Sequence, residues 1–542
     1  MVQISVVQTS VPGSDAKRGV PLRSEDSAKQ ASTAKQTSTA KQTSAAKRTS
    51  TAKQTSTARA AQPRFAVIGG GMAGILSVIK LIEAGFDNVT LYEKADRFGG
   101  TWRENTYPGV ACDVPSHLYS YSFAPNPEWS HFFSPGREIL EYFENTASGY
   151  GVDKYARLGD EVLRLEFDEG RWVIETASGH LDEADFVIAA TGVLHHPSYP
   201  DIEGIGSFEL PMFHSARWDH SVELGDKTVG VIGTGSTAVQ IVASAIDQVG
   251  KLVMFQRTAQ WVLQVGNPEI EEADKQKYRQ EPEIMKAIHE DLSKSFADNF
   301  ADAVVDADSP EVKILEELCR ANLEQNVLDP ELRERLRPSY RAACKRLVVS
   351  PDFYSAIQKS NAELVTCPIK RIEPGGIRTT DGIFHKLDVL VLATGFRVDR
   401  FLRPIEVTGR NGTKLEDVWS QRPSAYLGIS IPDFPNLFML NGPNGPVGNF
   451  SLIEVAELQF EYIRQLIAPV IDGSARQVSA TRQAADRFET DRVEAAKKTV
   501  WVTGCKSWYL DDRGIPAAWP WDFGHFREKM SKPDLRDYEL IA

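Results

Sequence analysis

Two glycine-rich turns, 164 residues apart, are each followed at the same distance by a charged residue, and the two charges are opposite. The first turn is Gly69-Gly70-Gly71-Met72-Ala73-Gly74, entered from the apolar run Phe65-Ala66-Val67-Ile68. The second is Gly233-Thr234-Gly235-Ser236-Thr237-Ala238, entered from Val229-Gly230-Val231-Ile232. A buried strand, a tight glycine turn and a helix in succession bring backbone amides up to a pyrophosphate, which rests on the positive end of the helix. Glu93 lies 24 residues after Gly69, and Arg257 lies 24 residues after Gly233. A carboxylate at that distance accepts hydrogen bonds from a ribose 2′-hydroxyl; a guanidinium there suits a 2′-phosphate. The pattern predicts one site for an adenine dinucleotide with a free ribose and a second site for NADP. One such turn is weak evidence; two in the same strand–turn–helix setting, each with a fitting charge, are strong.

The elements that must hold these turns can be read from the rest of the chain. Phe186-Val187-Ile188-Ala189-Ala190 runs into Thr191-Gly192, and Leu387–Ala393 runs into Thr394-Gly395-Phe396. An alternating strand–helix pattern thus occurs twice, which predicts an α/β chain with two Rossmann-like dinucleotide-binding domains, the second inserted in the first. The expected organisation is a tail over 1–62, a first part of the first dinucleotide-binding domain over 63–220 and an NADP-type domain over 221–385. The chain then returns to the first domain and a C-terminal region over 386–542. Residues 268–340 are acid-rich and helical in pattern, as in Glu331-Leu332-Arg333-Glu334-Arg335-Leu336. They predict a helical insertion with a solvated face, a lid or partner surface being the other use of such a segment.

Of 542 residues, 42% are hydrophobic and 25% charged, enough chain for two or three domains with proper cores. The net charge of −13 conceals a basic tail: residues 1–62 hold ten Lys/Arg and three acids, so the remainder stands near −20. An acidic body argues against nucleic acid as a partner. Residues 27–59 repeat a Thr-Ala-Lys-Gln-Thr-Ser hexapeptide without large apolar side chains, which predicts disorder. The same bias is shared by organelle transit peptides, but the regular repeat and the absence of a secretory signal favour a cytoplasmic protein. No apolar run reaches membrane-spanning length. The five cysteines, Cys112, Cys319, Cys344, Cys367 and Cys505, form no C-x-x-C and no metal-ligand spacing. Their odd number suits a reducing compartment, with no disulfide framework and no metal expected.

Several further motifs carry a resemblance over residues 63–542. Gly99-Gly100-Thr101-Trp102, Tyr107-Pro108-Gly109, Asp113 and Tyr119 form one. Phe208, His214, Trp218 and Asp219 form another, and Phe255-Gln256-Arg257-Thr258, Lys345-Arg346, Ala393-Thr394-Gly395-Phe396 and Ser507-Trp508-Tyr509 complete the set. In these the chain resembles type I Baeyer–Villiger monooxygenases, class B flavoprotein monooxygenases of the flavin-containing monooxygenase superfamily. Leu210 departs from the pattern, standing where the second motif has glycine. If that segment keeps its path, the backbone there does not need a glycine-only conformation. Trp102 takes the place where flavin disulfide reductases, which share the two-domain plan, carry a redox cysteine.

The resemblance implies FAD and NADPH as cofactors, and a ketone and O₂ as substrates. NADPH would reduce the flavin, O₂ would add to give a C4a-peroxyflavin, and a ketone would become an ester or lactone. It implies Arg346 as the cation that stabilises negative oxygen in the reaction, with Asp113 orienting it. Gly69, Gly71, Gly74, Glu93, Thr101, Trp102, Asp113 and Tyr119 would hold FAD. Gly233, Gly235, Ser236, Thr237, Ala238 and Gln240 would hold the NADP pyrophosphate side, and Arg257, Thr258 and Lys345 the 2′-phosphate. Trp508 would pack on the nicotinamide cofactor. His214 would be structural, on an interdomain connection. Two alternatives remain: an N- or S-oxygenating flavin monooxygenase, although flavin-containing monooxygenases usually end the second motif in Tyr or Phe then Lys, and a flavin-binding scaffold whose tail recruits partners. The identity of the ketone and the oligomeric state are not encoded in any motif.

Overall fold

A computed structural model describes residues 62–448 and 450–542. The expected disordered tail lies, apart from Gln62, outside the described residues. Ten strands build the two largest sheets among the described residues, the first four in chain order being β1 (Phe65–Ile68), β2 (Val89–Glu93), β3 (Ala156–Leu158) and β4 (Phe186–Ala189). There follow β5 (Met212–His214), β6 (Thr228–Ile232), β7 (Lys251–Phe255), β8 (Ala362–Val365), β9 (Val389–Leu392) and β10 (Leu437–Met439). They form two five-stranded sheets, ordered β10-β4-β1-β2-β3 and β8-β7-β6-β9-β5. Every pairing in both sheets is parallel. The first sheet is interrupted between β4 and its neighbour β10, and the whole second sheet is built in that interval. This is the insertion of one Rossmann-like unit in another that the repeated Ala-Thr-Gly strands predict. The second sheet draws β5 and β9 from just outside residues 221–385.

The central strands are apolar along their whole length because helices cover both faces of a parallel sheet. Phe65, Ala66, Val67 and Ile68 are all buried, as are Val389–Leu392. Phe65 stacks on Phe186 of the adjacent strand with ring centres 4.9 Å apart. Helix α1 (Met72–Glu83) buries eight of its twelve residues, Ala73–Ile79 and Leu81. Helix α2 (Ser236–Ala245) buries Ala238, Val239, Ile241, Val242 and Ala245 under the second sheet.

The acid-rich segment is helical as expected, in α3 (Glu272–Gln280), α4 (Pro282–Phe296), α5 (Pro310–Asn326) and α6 (Pro330–Arg335). Three of these begin at a proline, whose missing N–H costs nothing in a first turn. Ser309 and Asp329 cap α5 and α6 by accepting the amides of Val312 and Glu331. Among the described residues, no helix is long and apolar enough to cross a membrane.

One expectation is overturned. Cys344 and Cys505 form a disulfide. With the two 161 positions apart, no local spacing announces the pair; only the fold brings the two segments together. Cys112, Cys319 and Cys367 remain free thiols.

Candidate active site

The first glycine turn is built so that side chains are impossible. Gly69 has φ +108°, and a Cβ on it would lie 2.5 Å from the Ala190 carbonyl oxygen at the end of β4. A Cβ on Gly74 would lie 1.8 Å from the Gly69 oxygen. Helix α1 starts at Gly71 with no side-chain cap and no acid in its first turn, so its leading amides are unpaired and its positive end is open. The Glu93 carboxylate accepts the amides of Gly70 at 2.7 Å and Ala95 at 2.9 Å, with Arg103 Nη1 at 3.1 Å. Those bonds fix its orientation and leave lone pairs for a hydroxyl.

Gly69, Gly71, Glu93, Thr101, Trp102 and Tyr119 all line one cleft of about 190 Å³; Gly74 and Asp113 are not among its lining residues. Trp102 donates Nε1–H to the Tyr119 hydroxyl at 3.1 Å, with the rings edge to face. His195 lines the same cleft, and neither of its ring nitrogens has a partner among the described residues although both are buried. Burial, then neighbouring His196, lowers its pKa to about 4, so it is a neutral donor and acceptor. Glycine backbone, open amides, an oriented carboxylate and an unpartnered imidazole together fit FAD. His195 escaped the sequence reading because a lone histidine in a connection carries no spacing signal.

The second turn repeats the construction. Gly233 has φ +135°, and a Cβ there would lie 2.2 Å from the Ala393 oxygen, the counterpart of Ala190. Gly235 faces open space, and α2 begins there without a side-chain cap or an acid in its first turn. The amides of Ser236, Thr237 and Ala238 are therefore available to an anion, while the Ala238 side chain is wholly buried. Thr234 donates its hydroxyl to the Thr258 carbonyl at 2.8 Å, tying the turn to the Arg257 loop. Arg257 is exposed, and Lys345 lies with Nζ 4.6 Å from the Tyr340 ring centre. Burial and the adjacent Arg257 charge lower the Lys345 pKa. Among the described residues neither cation has a carboxylate within 4.0 Å. Two adjacent cations without an acid fit a doubly charged phosphate.

Gln240 joins the two units. It accepts from the Tyr107 hydroxyl at 2.8 Å and donates to the Ala111 carbonyl at 3.1 Å. Gly109, at φ +79°, lets that segment touch α2: a Cβ on it would lie 2.7 Å from the Gln240 oxygen. The Tyr107-Pro108-Gly109 motif is thus a close approach between units, and it delivers Asp113 four residues later. His214 is buried and fully engaged. Its Nδ1 accepts the Ala216 amide at 3.1 Å, so Nε2 carries the proton and donates to the Gly395 carbonyl at 3.1 Å. Leu210 is exposed with ordinary backbone, so glycine is not required there.

Arg346 and Asp113, far apart in the chain, form an ion pair. Nη2 of Arg346 lies 2.7 Å from both Asp113 oxygens, Nε lies 3.2 Å from Oδ2, and Nη1 donates to the Gly448 carbonyl at 2.8 Å. Tyr509 stands beside this contact: a Cβ on Gly448, whose carbonyl Arg346 bonds, would lie 2.2 Å from the Tyr509 hydroxyl. Burial would lower the Arg346 pKa, but Asp113 and Tyr509 outweigh it and the guanidinium stays above its ordinary value. The side chain keeps 31% of its surface accessible. Trp508 lines an adjoining cavity of about 370 Å³ with Tyr509. Val193, Phe401, Arg403 and Val447 line both cavities, so the two adjoin.

Residues 62–403 match the flavin-binding monooxygenase-like family. An uncharacterised monooxygenase of Mycobacterium tuberculosis is 46% identical over 478 residues, 88% of this chain and 96% of that one. A Baeyer–Villiger monooxygenase of Streptomyces coelicolor is 37% identical over 486 residues, 88% of this chain and 92% of that one. The crystal structure of cyclohexanone monooxygenase from Rhodococcus sp. Phi1 bound to NADP+ superposes with a TM-score of 0.79 at 29% identity, covering 89% of this chain and 99% of the other. The chain belongs to the flavin-binding monooxygenase-like family and, within it, to the Baeyer–Villiger monooxygenases.

Proposed function

We propose that this protein oxygenates a ketone to an ester or lactone, consuming NADPH and O₂. The observation that carries this reading is Arg346: a permanent cation held by Asp113 with part of its side chain still accessible, in a chain that carries two dinucleotide-type glycine turns. In the overall reaction one oxygen atom enters between the carbonyl carbon and its neighbour, and the other leaves as water with the two electrons of NADPH. FAD supplies the redox and oxygen-activating chemistry when bound.

The protein's part is position and charge. Glu93 and the amides of α1 hold the FAD ribose and pyrophosphate. Arg257, Lys345 and Thr258 hold the 2′-phosphate of NADPH, and Ser236, Thr237 and Ala238 offer amides to its pyrophosphate. Trp508 would pack on the nicotinamide cofactor. Negative charge that develops on oxygen meets a guanidinium already in place, which costs no reorganisation at the moment of reaction. Asp113 keeps that guanidinium from turning away.

The test is product analysis after incubating the enzyme with NADPH, O₂ and a panel of cyclic, linear and aryl ketones, with an amine and a sulfide as competitors. A product heavier by one oxygen and identified as an ester or lactone supports the proposal. N-oxide or sulfoxide alone, with no ester from any ketone, overturns it in favour of heteroatom oxygenation.

A further inference from the structure

The disulfide joins the two segments that meet at the reaction centre. Cys344 directly precedes Lys345 and Arg346; Cys505 precedes Trp508 and Tyr509 by three and four residues. Both cysteines are buried, at 0% and 7% exposure. On one side, Ala343 sits at φ +62°, a conformation a non-glycine residue keeps only when its surroundings impose it. On the other, the segment leading to Trp508 is weakly held by its own backbone. Among the described residues, no amide from Gly504 to Trp508 donates to a backbone carbonyl, and the Tyr509 amide bonds only the Ser507 hydroxyl at 3.2 Å. Gly504 and Lys506 are exposed, and Trp508 is 42% exposed. Packing contributes through Leu347, Trp501 and Tyr509, which share one apolar cluster. The covalent bond therefore does what backbone hydrogen bonds do elsewhere: it sets where Tyr509 stands relative to Arg346.

We propose that the Cys344–Cys505 disulfide is a positioning cross-link that holds Tyr509 against Arg346, so that the yield of oxygenated product per NADPH depends on its redox state. The step that releases it is thiol–disulfide exchange with a dithiol reductant. A reductant thiolate attacks the sulfur of Cys505, the less deeply buried of the two residues, and the S–S bond breaks as a mixed disulfide forms. The second reductant thiol then displaces Cys505. In sum two electrons and two protons pass from the dithiol to the protein, leaving two cysteine thiols and an oxidised reductant. A freed Tyr509 segment loosens one wall around Arg346, and misplacement of a pre-organised group lowers productive chemistry without abolishing NADPH binding.

The catalytic half of this inference rests on the oxygenation reading, so the experiment has two arms. Full-length FAD-loaded enzyme is treated with dithiothreitol, and cleavage of the disulfide is verified by alkylation and mass spectrometry. In the first arm, trypsin cleavage after Lys506 is timed; reduction is expected to accelerate it about tenfold as the segment opens. In the second, ester formed per NADPH consumed is expected to fall about fivefold, the balance appearing as hydrogen peroxide, while KM for NADPH changes less than about threefold. A Cys344→Ser/Cys505→Ser enzyme is expected to behave like the reduced protein and to ignore the reductant; if it does not fold, the reduced wild type still decides. Unchanged cleavage and unchanged product yield after verified reduction overturn the proposal, as does a lower Tm with product yield unaltered. Absence of a disulfide even after treatment with oxidised glutathione overturns it too. Failure of the oxygenation reading shows separately, as no ester from any ketone before reduction, and the trypsin arm then still judges the cross-link.

Discussion

Nη2 of Arg346 stands 2.7 Å from both oxygens of Asp113, although the two lie 233 positions apart in the chain. Asp113 is delivered by the segment that Gly109 lets lie against α2, and Arg346 by the chain returning from the helical insertion. Replacing Asp113 by Asn keeps the shape and removes the charge. Guanidinium–carboxylate bonds are roughly twice as strong as neutral ones. Asp113→Asn is expected to lower the ester-forming rate about tenfold while FAD content stays normal. An unchanged rate would show that Arg346 needs no anchor.

Arg257 and Lys345 should act together on one phosphate. Arg257→Ala and Lys345→Ala are each expected to raise KM for NADPH about 10- to 100-fold, the loss of a charge-assisted phosphate contact worth roughly 1.4–3 kcal/mol. KM for NADH should move less than about threefold. Steady-state kinetics with both nucleotides decides the matter, and equal changes for the two would remove the phosphate assignment.

The glycine turns make a sharp structural prediction. A methyl group at Gly74 would sit 1.8 Å from the Gly69 oxygen, so turn and helix cannot both keep their places. Gly74→Ala is expected to lose FAD and to destabilise the protein by about 2 kcal/mol or more, in the range of overpacked cores. Flavin absorbance per protein and the thermal midpoint measure both. Gly235→Ala faces open space and should keep its fold while weakening NADPH binding.

His117 supplies a pH dependence. Burial, followed by the nearby His289, lowers its pKa to about 4 from an ordinary value of 6.5. Between those values the unfolded chain takes up a proton that the folded chain refuses, so stability is present above pH 6.5 and falls as pH drops toward 4. The loss from this one site is about 2 kcal/mol across two pH units. His117→Phe is expected to show a shallower fall in Tm between pH 6.5 and 4.5. Identical slopes for the two proteins would assign the acid sensitivity elsewhere.

What the chain disclosed in advance was what is local. Gly69, Gly233, Glu93 and Arg257 lie within single strand–turn–helix units, where spacing maps directly onto geometry. The insertion of the second sheet was legible because the strand ending in Ala-Thr-Gly occurs twice. Cys344 and Cys505 could not be paired from the sequence, since their approach depends on the packing of Trp501 and Tyr509 against the Arg346 segment. His195 was missed for a related reason: its two unpartnered nitrogens become informative only once a cleft surrounds them. Ser507-Trp508-Tyr509 reads as a motif in the sequence, but the approach of Tyr509 to Gly448, whose carbonyl Arg346 bonds, is made across the fold and leaves no trace in spacing.

The most direct test of the central claim combines oxygen-18 gas with one substitution. Wild-type enzyme given NADPH, a ketone and labelled O₂ is expected to release an ester carrying one labelled atom. Arg346→Ala is expected to consume NADPH still, to release hydrogen peroxide, and to form ester about 10²- to 10³-fold more slowly, as for other losses of a group that stabilises developing negative charge. Labelled ester from Arg346→Ala at the wild-type rate would contradict the account, because the cation on which it rests would then do nothing in the reaction.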